Sequence, residues 1–265
     1  MAGTDAESAE HFATNGWVLT DTLGPDGAVE VRRWVEEVAA WPADGGDWLH
    51  HRELTETGPA LCRTENFTPF HQGLHDLLRT GGMVAIASNL LGEPAVLYKE
   101  KINYKLPGGA GYAPHQDAPA YPFIDSHVSC MVAVDDATAA NGCLEVVSGA
   151  HDRILPMEDG VITAEVVDSL EWVSVPVRAG QTLWFHSRTP HRSGPNHTDV
   201  PRRALYPTYN ARSEGDLRNE YYAEKLAAFR SGGRADGMVR VSLINDFQGL
   251  AVPDDVADHP PGTST

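Results

Sequence analysis

In the stretch "GYAPHQDAPAY" a histidine and an aspartate, His115 and Asp117, stand two residues apart. On an extended segment, residues i and i+2 project to the same side a few ångströms apart, as two ligands of one metal ion must. A third ligand has to come from elsewhere, and "WFHSRTPHRSGPNHT" offers His186, His191 and His197. Two imidazoles and one carboxylate on one face of an octahedron leave the other positions open, the arrangement that suits non-haem Fe(II) oxygenases. In a chain with 12 histidines a His-x-Asp pair alone carries little weight. Its surroundings add to it.

Just upstream, "AVLYKEKINYKL" has the texture of a strand. Period two places Lys99, Lys101, Asn103 and Lys105 on one face, and Val96, Tyr98, Ile102 and Tyr104 with Glu100 on the other. On an ordinary sheet the lysines would be solvated. In a barrel with a polar cavity the inner face lines the active site and the outer face packs on helices, so the lysines become a positive inner wall. Buried ammonium ions are costly without partners, so such a wall near a metal implies an anionic group on the substrate.

The elements that must hold these residues are helices first and strands afterwards. A short helix is expected from Asp5 to Thr14, a strand at "WVLTDTL", and a helix from Ala28 to Trp41 with Val31, Trp34, Val35 and Val38 on one face. Two more helices are expected between Pro69 and Leu91, broken near Gly81 and Gly82. From Ala95 onward short β-prone runs alternate with Gly, Pro and Asn/Asp turns, the pattern of a β-sandwich or barrel. The expectation is a mainly β fold with flanking helices in one domain over residues 1–250. It comprises N-terminal helices at about 5–92, a β-barrel core at about 95–212 and a helical segment at about 214–230. The polar, proline-rich residues 251–265 are expected to form a flexible tail.

Composition narrows the function. The chain has 265 residues and a formal charge of −17. That balance disfavours nucleic acid, whose phosphates are held by clustered Lys and Arg, and anionic membranes. Three scattered cysteines make neither a disulfide framework nor a zinc-thiolate site. The acidic N-terminus lacks the features of a signal peptide, and no apolar run approaches the length of a membrane span. A cytoplasmic protein acting on a small-molecule substrate is expected, with a homodimer left open.

These motifs resemble the phytanoyl-CoA dioxygenase family of Fe(II)/2-oxoglutarate oxygenases, a group that includes ectoine hydroxylase. The likeness is good over about Ala95 to Asn210 and loose across the helical flanks. In that family a His-x-Asp near the start of the barrel is followed by a His-x-Ser-x-x-Asn pattern, with an arginine eleven residues after that histidine. Here "HQD", then "HRSGPN" from His191, then Arg202 follow in that order. The resemblance implies a double-stranded β-helix (jelly-roll, cupin-like) barrel. It also implies Fe(II) on His115, Asp117 and His191, with 2-oxoglutarate and O2 as co-substrates. Arg202 would bind the far carboxylate of 2-oxoglutarate together with Ser193, while Tyr112 and Asn103 would also contact it. A planar, permanently charged arginine suits a carboxylate. Arg203, its neighbour on a strand, faces the other way into a surface salt bridge.

Carried over from ectoine hydroxylase, Lys101 and Asn103 take the places of an inward-facing arginine and asparagine, and Lys99 follows on the same face. The retained Asp117 implies C–H oxidation, since halogenating relatives replace that carboxylate with a small residue. The wording "KEKINYKLPGGAGYAPHQDAPAY", with "YNARSEGD" and "YYAEK", is similar to the branch that oxidises 2-aminoethylphosphonate and its N-trimethyl analogue. That branch implies a phosphonate on Lys99 or Lys101 with Asn196 as a further donor, and a trimethylammonium group against Tyr121. The expected reaction is hydroxylation, desaturation or oxidative rearrangement of such an aminophosphonate. The alternatives are an amino-acid derivative or other secondary metabolite, a non-catalytic metal-binding barrel, and a zinc hydrolase on the same ligands.

Overall fold

The computed structural model describes residues 6–43, 45–121, 123–230 and 246–252. Its elements run α1 (Ala6–Asn15), β1 (Trp17–Asp21), α2 (Gly24–Ala39), β2 (Leu49–Thr55), β3 (Gly58–Glu65), α3 (Gln72–Arg79) and α4 (Gly82–Leu91). They continue with β4 (Ala95–Lys105), β5 (Tyr112–His115), β6 (His127–Ala133), β7 (Leu144–Val146), β8 (Met157–Glu158), β9 (Val161–Ile162) and α5 (Ala164–Ser169). The last are β10 (Val173–Val175), β11 (Gln181–His186), β12 (His191–Ser193), β13 (Arg202–Ala211), α6 (Arg218–Arg230) and β14 (Leu250–Ala251).

Two antiparallel sheets face each other. The larger has eight strands in the order β1-β11-β6-β13-β4-β3-β2-β14, and the smaller has four, β10-β7-β12-β5. This is the double-stranded β-helix. Alternation along the strands feeds two separate cores. On the outer face of the large sheet, Val128, Cys130, Val132, Trp184, Leu205 and Tyr209 pack with Val31, Val35 and Val38 of α2, Leu74 and Leu78 of α3, and Met83 and Ile86 of α4. Between the sheets, Met131, Leu183, Phe185, Ala204 and Tyr206 meet Leu144, Val146 and Val175. The inner positions left over, toward one end, are polar and form the site.

Three local features differ from the sequence expectations. Helix α2 begins at Gly24 rather than Ala28, because Pro25 sits in its first turn, where a fixed φ and a missing N–H suit helix entry. The span expected to be helical up to residue 92 contains a hairpin, β2–β3, that joins the large sheet by pairing Arg63, Thr64 and Glu65 with Asn103, Ile102 and Lys101. Its strands, "LHHRELT" and "GPALCRTE", are too charged to announce themselves by β-propensity. On β4 the pairing passes from Thr208↔Lys99 to Tyr209↔Leu97, an irregularity that skips Tyr98. The bulge reverses the alternation. Leu97 therefore joins Ile102 and Tyr104 against the helices, whereas Tyr98 packs with Tyr121 and Ile124. The tail expected at 251–265 lies, from residue 253 on, outside the described residues.

Candidate active site

Strands β5 and β12 are hydrogen-bonded neighbours with His191 directly opposite His115. The two rings consequently lie 4.1 Å apart between centroids. Asp117 follows β5 after one residue, and ligand atoms of all three side chains fall within 4.8 Å of one another. The turn carrying Asp117 is held by Gln116, fully buried, whose amide donates to the Arg153 carbonyl at 3.0 Å and accepts from Leu155 N at 2.8 Å.

Each ligand is oriented by a second contact. His115 Nδ1 donates to the Ala113 carbonyl at 2.7 Å and His191 Nδ1 to the Thr189 carbonyl at 3.0 Å. Both Nε2 atoms are thereby left as bases. Ser129 Oγ donates to Asp117 Oδ2 at 2.6 Å, leaving Oδ1 for a metal. Burial pushes the His191 imidazolium down to about 4, and the charge of His115 adds to it, so the ring is neutral near pH 7. Burial raises the Asp117 carboxyl, but His191, Lys99, Lys101 and His115 outweigh it and hold the group far below the usual carboxylate range. Two imidazoles and one carboxylate, each braced from behind, fit a divalent first-row metal such as iron.

A cavity opens on this triad, lined also by Lys99, Lys101, Asn103, Tyr112, Ser193, Tyr206 and Asp246. A second space shares Lys99, Lys101, Asp117 and Asp246 with it and adds Arg63, Glu65, Tyr121, Tyr221 and Lys225. Lys101 has no carboxylate within ion-pair distance among the described residues. Burial, reinforced by Arg63, pushes its ammonium down to about 8. Burial and the charge of Lys101 hold Lys99 well below the usual lysine range. Arg63 donates to Asn103 Oδ1 and to the Tyr112 hydroxyl at 3.0 Å each, bracing two cavity-lining side chains.

The residues singled out from the sequence fall into three groups. His115, Asp117, His191, Lys99, Lys101, Asn103, Tyr112 and Ser193 line one cavity. Arg202 lies just behind its wall, 1% exposed, with Nη1 donating to the hydroxyl of cavity-lining Tyr206 at 3.0 Å. Asn196 does not reach the cavity: its amide donates to the carbonyls of Lys105 and Val200 and accepts from Thr198, which uses it up in shaping its own loop. Tyr121 borders the second space, but the Lys99 ammonium sits 4.1 Å from its ring centre and bonds its hydroxyl, so that face already holds a cation. His186 accepts from Arg188 N and lies against His151, and His197 is exposed. Arg203 points outward to Asp135 and Glu36.

Sequence reasoning missed Arg63, Glu65, Lys225 and Asp246. They come from the unrecognised hairpin, from α6 and from the segment leading into β14. Lys225 Nζ donates to Glu65 Oε2 at 2.5 Å, joining α6 to the hairpin at the cavity wall. Asp246 Oδ2 stands 3.3 Å from His115 Nε2, and its carbonyl accepts from Ala113 N at 2.6 Å. No spacing rule links these residues to the triad. Only strand pairing and helix docking do.

A jelly-roll barrel with a facial His–Asp–His set defines a non-haem iron oxygenase. Sequence comparison gives the particular family: the profile of phytanoyl-CoA dioxygenase (PhyH) matches residues 12–204, and the chain belongs to that family of 2-oxoglutarate-dependent dioxygenases. A methylphosphonate hydroxylase of Gimesia maris is 47% identical over 249 residues, covering 93% of this chain and 96% of that protein. A 2-aminoethylphosphonate dioxygenase from an uncultured bacterium is 37% identical over 230 residues, covering 84% and 88%. In fold the chain matches EctD of S. alaskensis, crystallised with 2-oxoglutarate and 5-hydroxyectoine, at a TM-score of 0.70 and 22% identity, covering 80% of this chain and 77% of that one.

Among the described residues no helix is long and apolar enough to cross a membrane.

Proposed function

We propose that this enzyme hydroxylates a small alkylphosphonate, methylphosphonate before others, at the carbon bonded to phosphorus, using Fe(II), 2-oxoglutarate and O2. The observation that carries the reading is the half-buried Lys101 ammonium, which lines the cavity of the metal triad with no carboxylate within ion-pair distance among the described residues. A phosphonate supplies the missing counter-charge. Similarity to a methylphosphonate hydroxylase over nearly the whole chain supports the same reading.

His115, Asp117 and His191, whose ligand atoms all lie within 4.8 Å of one another, would hold the metal, and three protein ligands would leave room on it for co-substrate and oxygen. When bound, iron and 2-oxoglutarate supply the oxidation: O2 gives one oxygen atom to the succinate formed with CO2 and the other to the substrate C–H bond. Arg202 and Ser193 hold the far carboxylate of the co-substrate. Lys101 and Lys99 hold the phosphonate oxygens, and the shared wall at Asp117 keeps the attached carbon beside the metal. Phe185 and Leu144 close the cavity with apolar surface and limit access of water.

A second reading is 2-aminoethylphosphonate, favoured by Asp246, whose carboxylate borders both spaces and can receive an ammonium group. The N-trimethyl analogue fits less well, because the aromatic face it requires at Tyr121 is covered by Lys99. The test is succinate release with each of the three phosphonates, followed by product mass. Methylphosphonate should stimulate succinate formation most and gain one oxygen atom. If none of the three exceeds the background, the phosphonate reading falls.

A further inference from the structure

Helix α6 is fastened to β4 at the residue that stands between Lys99 and Lys101. The Glu100 carboxylate accepts from Arg218, and its backbone is held by Tyr222, whose hydroxyl accepts from Glu100 N at 3.0 Å and donates to the Glu100 carbonyl at 2.8 Å. Tyr221 and Lys225, four residues apart on the helix, share a neighbouring face and both line the second space. The clamp thus fixes a third lysine relative to the two on β4.

The charges of that space do not balance. Arg63, Lys99, Lys101 and Lys225 meet three carboxylates, Glu65, Asp117 and Asp246. Asp117 belongs to the metal triad, so a bound ion matches its charge. Glu65 lies opposite Lys101 in the β3–β4 pairing, yet its carboxylate is engaged elsewhere. Oε2 accepts from Lys225 Nζ at 2.5 Å, while Oε1 stands 3.4 Å from His51 Nε2 and 3.8 Å from Arg63 Nη1. One carboxylate shared in this way leaves cationic charge over, and in a half-buried space that charge calls for an anion. The Lys225 side chain is 14% exposed, and burial pushes its ammonium down despite Glu65. Of its three N–H groups, Glu65 takes one and the Tyr221 hydroxyl, at 3.4 Å, a second, which leaves one over among the described residues.

We propose that Lys225 is a third phosphonate-binding cation, so that the second space is the subsite for the anionic group of the substrate and α6 is one of its walls. The assignment rests on the phosphonate reading above. A phosphonate has three oxygens, one for each ammonium of Lys99, Lys101 and Lys225, and charge-assisted bonds of this kind are the strong ones. The subsite meets the metal cavity at Lys99, Lys101, Asp117 and Asp246, so a carbon bonded to a phosphorus seated there faces the triad.

The test is calorimetric titration of methylphosphonate, without oxygen, into the enzyme loaded with Fe(II) and 2-oxoglutarate, for the wild type and for Lys225→Met. Loss of the ammonium should weaken methylphosphonate by about ten- to hundred-fold, the value of one charged hydrogen bond. The affinity for 2-oxoglutarate, titrated into the Fe(II)-loaded proteins, should stay within about twofold, because Lys225 does not line the metal cavity. The same substitution is then made in a Glu65→Gln background, where no carboxylate at position 65 requires Lys225. A loss of the same size there assigns the ammonium to the phosphonate, and this comparison decides if Lys225→Met alone folds poorly. A change below about threefold in that background, or an equal loss for 2-oxoglutarate, would overturn the assignment. If the wild type itself fails to bind methylphosphonate, the phosphonate reading goes and the assignment with it, whereas wild-type binding that is indifferent to Lys225 removes the assignment alone.

Discussion

Asp117 stands where the His115–His191 pair meets the lysines of β4. Its carboxylate faces both imidazoles, takes a 2.6 Å bond from Ser129, and feels the charges of Lys99 and Lys101. Asp117→Ala should abolish turnover and iron binding together, as measured by succinate release and anaerobic Fe(II) titration. Ser129→Ala leaves the ligand in place but frees its rotamer, and should cost about 10–100-fold in iron affinity or activity. Lys101 makes a pH prediction. It binds an anion only when protonated, so phosphonate affinity is complete below its folded pKa of about 8 and falls about tenfold per pH unit above it. In Lys101→Met that alkaline limb should vanish from the profile of phosphonate KM against pH, and KM should already be raised at neutral pH.

The elements that complete the cavity are those whose sequences are least suggestive. The β2–β3 hairpin brings in Arg63 and Glu65, and α6 brings in Lys225. Helix α6 is pinned to β4 by Arg218, whose guanidinium donates Nε to Glu100 Oε2 at 3.0 Å and Nη2 to Oε1; Glu100 is fully buried and Arg218 2% exposed. Glu100 was legible only as a residue on the non-lysine face of β4; its partner 118 positions away was not. Glu100→Ala leaves a buried guanidinium uncompensated and should cost about 3–5 kcal/mol in urea unfolding. Because α6 carries Lys225 and Tyr221, the same variant should also raise substrate KM at temperatures where it remains folded. A normal KM with full stability would mean that α6 contributes nothing to the site.

For the molecule as a whole, a net charge of −17 surrounds a cationic chamber. The global field would repel an anionic substrate, while lysines inside the cavity are shielded from bulk ions. Raising ionic strength from about 10 to 150 mM shrinks the Debye length from about 30 to 8 Å, so kcat/KM for a phosphonate should rise. A fall would place the decisive lysines at the surface. The helices on the outer face of the large sheet explain why the lysine side of β4 turns inward: the apolar side is claimed by α2, α3 and α4, and the other side has only the cavity to face.

The sequence by itself determined the chemistry at positions where local spacing is decisive. His115 and Asp117 are adjacent ligands because an extended backbone repeats every two residues, and the lysines of β4 share a face for the same reason. The grouping of His191 with His115 and Asp117 was legible through family resemblance, since nothing in the spacing alone excludes His186 or His197. Tertiary structure decided the rest. It consumed Asn196 in a loop, covered the face of Tyr121 with Lys99, flipped the alternation at Tyr98 with a bulge, and set Arg63, Lys225 and Asp246 beside Asp117. Such placements depend on which strand pairs with which and where a helix docks. Those are global balances of burial and hydrogen bonding, and a charged segment such as "LHHRELT" carries no local imprint of its partner.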